Sequence, residues 1–190
     1  MRLWRALLYR LSGLIGPRMV VGFTRYDGVR LPRVRVSNMT RIEHPHQLMV
    51  DDNVFIGHFN LIDASGGLAI GEGCQITNYV SLLTHSSHDA LRLYGAAYLD
   101  HREHVAYLKK PTVLGKYCFV GPHSVLMPGV RLGKGCLVSA YSLVEAGDYP
   151  DFAVLAGNPA RVVGDTRSRD EKFLAAHPEL KPLYEAWAHD

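Results

Sequence analysis

The sequence predicts an all-β protein: a parallel β-helix in which three short strands and three tight turns close each triangular coil. Three observations favour this fold. An aliphatic residue recurs at every sixth position of residues 114–144, glycine is the commonest residue just after it, and mostly small side chains lie two positions before it. A period of six fits neither the 3.6-residue turn of a helix nor a simple alternating strand. Three such segments make a coil of roughly 18 residues, stacked at about the 4.8 Å strand spacing.

The repeat is most regular in residues 112–147, where it predicts two columns of inward-facing side chains. The aliphatic column consists of Leu114, Val120, Leu126, Leu132, Val138 and Val144. The column of smaller residues consists of Thr112, Cys118, Ser124, Val130, Cys136 and Ser142. Packing therefore explains two of the three cysteines. Because no CxxC or CxxH arrangement is present, we expect neither a disulfide framework nor a thiolate zinc site, and a reducing cytoplasm suits the chain.

The same period runs through residues 36–82 with two shifts of phase. Its aliphatic positions are Val36, Ile42 and Leu48, then Val50, Ile56 and Ile62, then Ile70, Ile76 and Leu82. The phase moves by two residues near 48–50 and again across 63–70. The segment Ser65–Gly67 is suited to a bulge or a wider turn at the second shift.

Three segments lie outside the regular repeat. Residues 1–35 are predicted to form an N-terminal cap, residues 36–164 the β-helix domain, and residues 165–190 a C-terminal helical tail. Within the domain, residues 89–111 lack the six-residue period and predict a protruding loop, a kind of segment that commonly carries binding sites. In the tail, EKFLAAH before Pro178 predicts a short helix.

The first 16 residues carry apolar side chains at the spacing of one helix face. Arg5 and Arg10 interrupt this segment, which is too short and too charged to span a bilayer. Two interpretations stay open: a helix that caps the solenoid or packs on a partner subunit, or a peripheral helix that holds a cytoplasmic protein at the inner face of a membrane. The formal net charge of +3 is spread without a Lys/Arg run, so a nucleic acid is not an expected partner.

Three stretches carry a resemblance to a known family. They are IGHFNLIDASGGLAIGEGCQI, LGKYCFVGPHSVLMPGVRLGKGCLVSAYSLV and the closing AGNPARVV of residues 156–163. With them the sequence resembles the hexapeptide-repeat acyltransferases, and most of all the bacterial sugar and polysaccharide O-acetyltransferases. The resemblance implies a left-handed winding, which the usual crossover rule does not predict. It also implies a homotrimer, acetyl-CoA as co-substrate with no metal ion, and a sugar or glycan acceptor.

The stretch LTHSSHD at residues 83–89 holds the candidate catalytic residues. An imidazole is a natural general base near neutral pH for a sugar hydroxyl that attacks a thioester. The resemblance favours His88 as this base, because SHD ends the coil as a similar trio does in polysaccharide-modifying relatives. His85 then lines the site or forms a hydrogen bond nearby. Asp89 either orients an imidazole or begins the loop as a turn residue.

The resemblance also assigns residues that bind the two substrates. Asn60 and Asp63, in HFNLID, match positions that contact acceptor hydroxyls; the alternative is a polar turn at the corner of a coil. Ser139 and Ala140 match backbone positions that bind the pantetheine arm of acetyl-CoA. The residues assigned to its adenine end and its phosphates are Asn158, Pro159, Arg161, Lys116 and Lys134. His123 is expected to point outward or into a subunit interface.

Three other functions stay open on the same fold. One is an N-acetyltransferase that acts on a nucleotide-linked amino sugar. Another is a zinc-dependent hydrase of the γ-carbonic-anhydrase type, which holds its metal with three histidines from two subunits. The histidines available for it are His85, His88, His101, His104 and His123. The third is a solenoid that binds a partner without catalysis.

Overall fold

The computed structural model describes Trp4, Gly13 and residues 16–189 of the 190-residue chain. The amphipathic helix predicted for residues 1–16 therefore lies outside the described residues, apart from three of its positions. Within the part of the chain that is described, no helix is both long enough and apolar enough to cross a bilayer.

Short strands dominate the described residues. In chain order they are β1 (Met19–Thr24), β2 (Arg30–Ser37), β3 (Arg41–Glu43), β4 (Leu48–Val50), β5 (Phe55–Ile56), β6 (Leu61–Asp63), β7 (Leu68–Ile70), β8 (Gln75–Ile76), β9 (Ser81–Leu82), β10 (His85–Ser86), β11 (Leu108–Lys109), β12 (Thr112–Leu114), β13 (Phe119–Val120), β14 (Val125–Leu126), β15 (Val130–Leu132), β16 (Leu137–Val138), β17 (Leu143–Val144), β18 (Gly147–Tyr149), β19 (Ala153–Gly157) and β20 (Ala160–Asp165). The helices are α1 (His88–Tyr94), α2 (Arg167–Ala176) and α3 (Lys181–Ala188), with 3-10 helices at Pro45–Gln47, Gly95–Asp100 and Pro178–Leu180.

Three sheets enclose one core. Sheet A has the order β1-β2-β5-β8-β13-β16-β19-β20, sheet B the order β17-β14-β9-β6-β3, and sheet C the order β18-β15-β12-β7-β4. From β2 onward the chain visits A, B and C in turn, and equivalent strands of successive coils pair in parallel. The predicted parallel β-helix is thus confirmed, whereas its left-handed sense stays an implication of the resemblance.

The turns between sheets form three edges of the triangular prism. The AB edge consists of the turns at 38–40, 57–60, 77–80, 121–124 and 139–142; the BC edge of 44–47, 64–67, 83–111, 127–129 and 145–146; and the CA edge of 51–54, 71–74, 115–118, 133–136 and 150–152. Both predicted columns face the core, since every member is at most 3% exposed. All three cysteines are buried and free, and each thiol donates to a backbone carbonyl.

The turns of the BC edge differ most in length from one coil to the next. Late coils pair at a spacing of 18 residues, as Leu126 does with Val144. Earlier coils pair at 20, as Ile62 does with Leu82. The two additional residues of that coil lie in the turn at 64–67, which confirms the wider turn predicted there. In the next coil the same edge opens into the excursion at residues 83–111.

The excursion is more ordered than the protruding loop that the sequence predicts. Its base is a two-stranded antiparallel ladder, in which His85 of β10 lies opposite Lys109 of β11. Between these strands run α1 and the 3-10 helix Gly95–Asp100. Ala90 of α1 is fully buried, and Asp89 in its first turn suits the positive end of the helix dipole. The lost six-residue period correctly marked the departure from the coil but gave no sign of this helix.

Hairpins and helices close the two ends of the described solenoid. The β1–β2 hairpin begins it, so part of the predicted N-terminal cap is a strand pair rather than a helix. The antiparallel β19–β20 hairpin ends it, and α2 and α3 follow. From α3, Trp187 packs on Tyr117 and Phe152 of the CA edge, with ring centroids 4.5 and 5.7 Å away.

Gly121 tests how tightly the coils approach at the AB edge. A Cβ at this position would lie 2.5 Å from the Ala140 nitrogen and 2.8 Å from the Val138 carbonyl oxygen. We expect Gly121→Ala to lower the free energy of unfolding by ~1–3 kcal/mol, because backbone atoms have to move. Gly164→Ala is the matched control, since its Cβ would meet only the Val154 side chain at 3.8 Å. Urea denaturation of both variants makes the comparison; equal stability would contradict the close approach.

Candidate active site

Asp63 is a buried carboxylate at the end of β6, on the BC edge, and is 1% exposed. Its Oδ1 accepts a hydrogen bond from the Ser65 backbone N–H at 2.9 Å. Its Oδ2 accepts from the Thr84 backbone N–H at 2.9 Å and from the Thr84 hydroxyl at 2.8 Å. Residues 63 and 84 belong to successive coils, so the stacking register brings these donors to the carboxylate.

These hydrogen bonds keep Asp63 ionised. Burial alone would raise the pKa of this carboxyl, because it penalises the charged form. The hydrogen bonds from Ser65 and Thr84 favour the charged form more strongly and hold the pKa of Asp63 well below its usual range. The site therefore contains a fixed negative charge.

His85 lies against this charge. Its Nδ1 is 2.8 Å from Asp63 Oδ2 and 2.9 Å from the Ser65 hydroxyl. An ionised carboxylate can only accept, so the contact requires a proton on Nδ1. In the neutral imidazole, Nε2 then carries the lone pair, which is the arrangement of a general base oriented by a carboxylate. The His85 side chain is 34% exposed, so this ring remains accessible from the surface.

Tyr107 covers one face of the imidazole. The two rings are stacked, with centroids 5.7 Å apart and planes inclined by 5°. Burial, with a further contribution from the charges of Tyr98 and Asp63, raises the pKa of the Tyr107 hydroxyl, so it stays protonated at neutral pH. A protonated phenol beside the base can donate a hydrogen bond to a substrate oxygen.

A cavity of about 600 Å³ opens beside Tyr107, one of these two rings. Its lining residues are Tyr98, Arg102, Glu103, His104, Tyr107 and Lys109. All of them come from the excursion at 83–111. The volume is within the range of typical small-molecule sites. The arrangement thus joins an oriented base to a polar cavity, which suits proton removal from a small polar substrate.

His88, the base favoured by the resemblance, is placed differently. It is the first residue of α1, and its side chain is 56% exposed. Its Nδ1 contacts the Ser86 hydroxyl at 2.7 Å, and its Nε2 lies 3.3 Å from the exposed carboxylate of Asp89. Asp89 is also paired with Arg92. Both ring nitrogens thus meet exposed partners, and the geometry favours His85 over His88 as the oriented imidazole.

The two predicted acceptor residues also differ from expectation. Asn60 is 3% exposed, and its amide bridges coils: it donates to the Thr77 carbonyl at 2.7 Å and accepts from the Val80 N–H at 2.7 Å. These contacts give Asn60 a structural role at the corner of the coil. Asp63 is equally buried and faces His85 rather than a cavity. The polar-turn alternative therefore describes Asn60, whereas Asp63 belongs to the site as a partner of the imidazole.

The residues assigned to acetyl-CoA lie on separate parts of the solenoid. Ser139 and Ala140 are on the AB edge, where the Ser139 N–H donates to the Leu155 carbonyl at 2.8 Å and Ala140 is exposed. Lys116 and Lys134 are on the CA edge. Asn158, Pro159 and Arg161 are at the β19–β20 hairpin, and Arg161 contacts Glu145 at 3.4 Å. On one chain, Ser139, Ala140, Lys116 and Lys134 thus lie on other edges than His85, whereas Arg161 reaches Glu145 of the BC edge.

The histidines considered for a zinc hydrase are dispersed as well. His101 packs edge-on against Tyr94, His104 stacks on Tyr98, and His123 lies on the AB edge. Across the described ranges, no group of three His, Cys, Asp or Glu residues is close enough to hold a metal ion.

Several site residues escaped the sequence reasoning: Ser65, Thr84, Tyr107 and Lys109. The length of the coil could have found the first two. A step of 20 residues relates Ile62 to Leu82, and the same step places Ser65 beside His85 and the turn after Asp63 beside Thr84. Tyr107 and Lys109 had no such signal, because they lie outside the repeat.

Comparison with known proteins agrees with this architecture. Residues 111–146 match the bacterial transferase hexapeptide family (six repeats). The chain is 30% identical to galactoside O-acetyltransferase of Escherichia coli (strain K12) over 140 residues, 70% of this chain and 64% of that protein. It is 29% identical over 161 residues to the "Putative colanic acid biosynthesis acetyltransferase WcaF" of the same organism, covering 84% of this chain and 74% of that protein. A crystal structure of a maltose O-acetyltransferase from Clostridium difficile 630 superposes with a TM-score of 0.56 at 20% identity, over 67% and 64% of the two chains.

These matches agree with the resemblance seen in the sequence, and residues 111–146 carry the bacterial transferase hexapeptide repeat. The superposition supports the shared fold. The chain spans less than two thirds of the length of galactoside O-acetyltransferase.

The charge of Asp63 predicts a pH-dependent contribution to stability. Its pKa is lower in the folded chain than the value of about 3.9 in an unfolded one. The contribution is therefore fully present above about pH 4 and is lost as the pH falls through the folded-state value. We expect Asp63→Asn to lower the free energy of unfolding by on the order of 2 kcal/mol at pH 7.

The difference in the free energy of unfolding between wild type and Asp63→Asn should be smaller at pH 3 than at pH 7. Urea denaturation at both pH values measures it. Asp89→Asn is the control, because that carboxylate is exposed. A difference that is independent of pH from 7 to 3 would show that Asp63 is not held ionised by these contacts.

Proposed function

We propose that the protein is an acetyl-CoA-dependent O-acetyltransferase that acts on a hydroxyl of a sugar or of a surface-polysaccharide precursor. The observation that carries this proposal is the His85–Asp63 pair beside the polar cavity, on a hexapeptide-repeat solenoid. The two curated relatives named above are a galactoside O-acetyltransferase and a protein named for colanic acid biosynthesis, and both names point to carbohydrate acceptors.

The base in this proposal is His85, in place of His88. Nε2 of His85 takes the proton from the acceptor hydroxyl while the hydroxyl oxygen attacks the thioester carbonyl. Asp63, which stays ionised, stabilises the imidazolium and keeps the ring in the required tautomer. The proton then passes to the sulfur that leaves as coenzyme A. Acetyl transfer is direct, because the three cysteines are buried in the core and offer no accessible thiolate.

Acetyl-CoA binds between protomers in this proposal, and the assembly is a homotrimer of left-handed β-helices. Ser139 and Ala140 lie on the AB edge, while His85 lies on the BC edge of the same prism. A cyclic arrangement brings the AB edge of one protomer to the BC edge of its neighbour. The residues assigned to the pantetheine arm then meet the base across the interface, which they do not within one chain.

An aromatic ladder on the AB edge supports such an interface. It consists of Phe59, Tyr79, His123 and Tyr141, one from each of four successive coils. Successive rings stack with centroids 4.8 to 5.1 Å apart, and Phe59, Tyr79 and Tyr141 are 45, 50 and 71% exposed. Contiguous exposed aromatic surface is characteristic of protein interaction sites, and the ladder includes His123, for which an interface was one of the two expected positions.

The choice of base is tested by two single variants. We expect His85→Ala to lower turnover by about 10²-fold or more, because it removes the general base. His88→Ala should stay close to the wild-type turnover. Release of coenzyme A thiol, measured with a panel of sugars and glycan fragments, reports turnover, and calorimetry with acetyl-CoA should show nearly unchanged binding for both variants. An active His85→Ala protein with an inactive His88→Ala protein would restore His88 as the base.

The interface is tested at the most exposed ring of the ladder. Tyr141→Glu places a charge on the AB edge and should convert the trimer to monomers in sedimentation velocity, with loss of activity. Tyr26→Glu is the control, because Tyr26 is 78% exposed but lies on the β1–β2 turn. A wild-type protein that sediments as a monomer, or a Tyr141→Glu protein that remains a trimer, would contradict the role of the ladder.

A further inference from the structure

We infer that the cavity beside His85 binds a sugar acceptor that carries an anionic group, a carboxylate or a phosphate. This inference rests on the proposed function and adds to it the chemical class of the acceptor. Its basis is the charge of the cavity wall and the contacts that two residues of that wall make with His85.

The cavity and the base share structural elements. Tyr107 lines the cavity and stacks on His85. Lys109 also lines it and pairs with His85 in the β10–β11 ladder. The Lys109 stem passes over the BC edge, since a Cβ on Gly66 would lie 3.2 Å from its Cγ. His85 does not itself line the cavity, and Tyr107 and Lys109 are the residues that connect the cavity to the imidazole.

The wall carries an excess of positive charge. Arg102 and Lys109 line the cavity, and Glu103 is its one acidic lining residue. Within residues 16–189, neither cation has a carboxylate within 4.0 Å, the distance of an ion pair. Asp63 is near, but it is buried behind His85, and Ser65 and Thr84 donate to it.

Arg102 is one of five described arginines without a carboxylate within 4.0 Å, together with Arg18, Arg30, Arg35 and Arg169. What distinguishes it is its place on the same cavity as Lys109. The two cations outnumber Glu103 on this wall, and both can donate charge-assisted hydrogen bonds to carboxylate or phosphate oxygens, so the wall suits an anion.

The remaining wall is held in place by contacts of its own. His104 Nε2 lies 2.7 Å from the Tyr98 carbonyl oxygen, and the two rings stack with centroids 4.0 Å apart. The ring of Tyr94 packs edge-on against His104. The Tyr94 hydroxyl accepts a hydrogen bond from the Val105 N–H. The excursion thus presents its cations from an ordered frame, and a cavity of about 600 Å³ has room for a monosaccharide with a charged substituent.

Matched acceptors test the inference. The thiol-release assay is run with galactose, galacturonic acid and galactose 1-phosphate, and with the same three forms of glucose. We expect kcat/KM for the carboxylate form, the phosphate form or both to exceed that of the neutral sugar by about 10-fold or more, the effect of a charge-assisted hydrogen bond. The two anionic forms separate the two sources of charge.

The double variant Arg102→Gln/Lys109→Gln should remove this preference. Its KM for the anionic acceptor should rise by about 10-fold or more, and by a clearly larger factor than its KM for the neutral sugar or for acetyl-CoA. Lys110→Gln is the matched control, because Lys110 is adjacent in sequence but packs near Gly129 rather than on the cavity. The charge-conserving Arg102→Lys/Lys109→Arg variant should retain part of the preference. Thermal denaturation verifies that each variant is folded.

The outcomes separate the inference from the proposed function. An equal or better reaction with the neutral sugars, or a double variant that raises the KM for acetyl-CoA instead, overturns the inference and leaves the acetyltransferase proposal standing. Thiol release no higher than that of His85→Ala with every acceptor overturns the acetyltransferase proposal. In that case calorimetry of galacturonic acid and galactose 1-phosphate with wild type and the double variant still tests whether the cavity binds an anionic sugar. If wild type binds neither of these anions, the inference is wrong.

Discussion

The stacking of one coil on the next is the constraint on which the rest of this structure depends. Most faces of the coils bury an aliphatic residue together with a smaller one, and parallel pairing between coils satisfies the backbone. A slip of one residue would turn these columns toward solvent. The faces of the prism are therefore uniform, and variation is confined to the edges. The candidate site lies on the one edge that varies most.

The same stacking establishes the charge of the site. A buried carboxylate without partners would be costly and would take up a proton. Asp63 avoids this because the next coil places the Thr84 N–H and hydroxyl against it, and its own turn adds the Ser65 N–H. The scaffold thus holds a permanent negative charge under His85, and the tautomer of that ring follows from it.

The excursion at 83–111 connects the cavity to the base. The Asp63 carboxylate belongs to the coils, whereas His85 and the cavity walls belong to the excursion, which also contains α1 and its 3-10 helix. The β10–β11 ladder and the stack of Tyr107 on His85 hold the imidazole beside the segment that forms the cavity. A change in the excursion away from these contacts can therefore alter the acceptor, whereas a change at the ladder affects the base as well.

By itself, the sequence determined the solenoid, its two inward columns, the inert role of the cysteines, the wider turn near Ser65 and the point at which the chain leaves the coil, because each depends on a periodic pattern of side chains. Tertiary structure alone placed His85 rather than His88 against a buried carboxylate, made Asn60 a bridge between coils, and made Asp63 the partner of an imidazole. Those roles depend on which residues of successive coils meet at a corner. His85 and His88 are three residues apart in a segment without the six-residue period, so the sequence cannot tell which of them meets a carboxylate. The cations of the excursion come near His85 only because the chain folds back on itself.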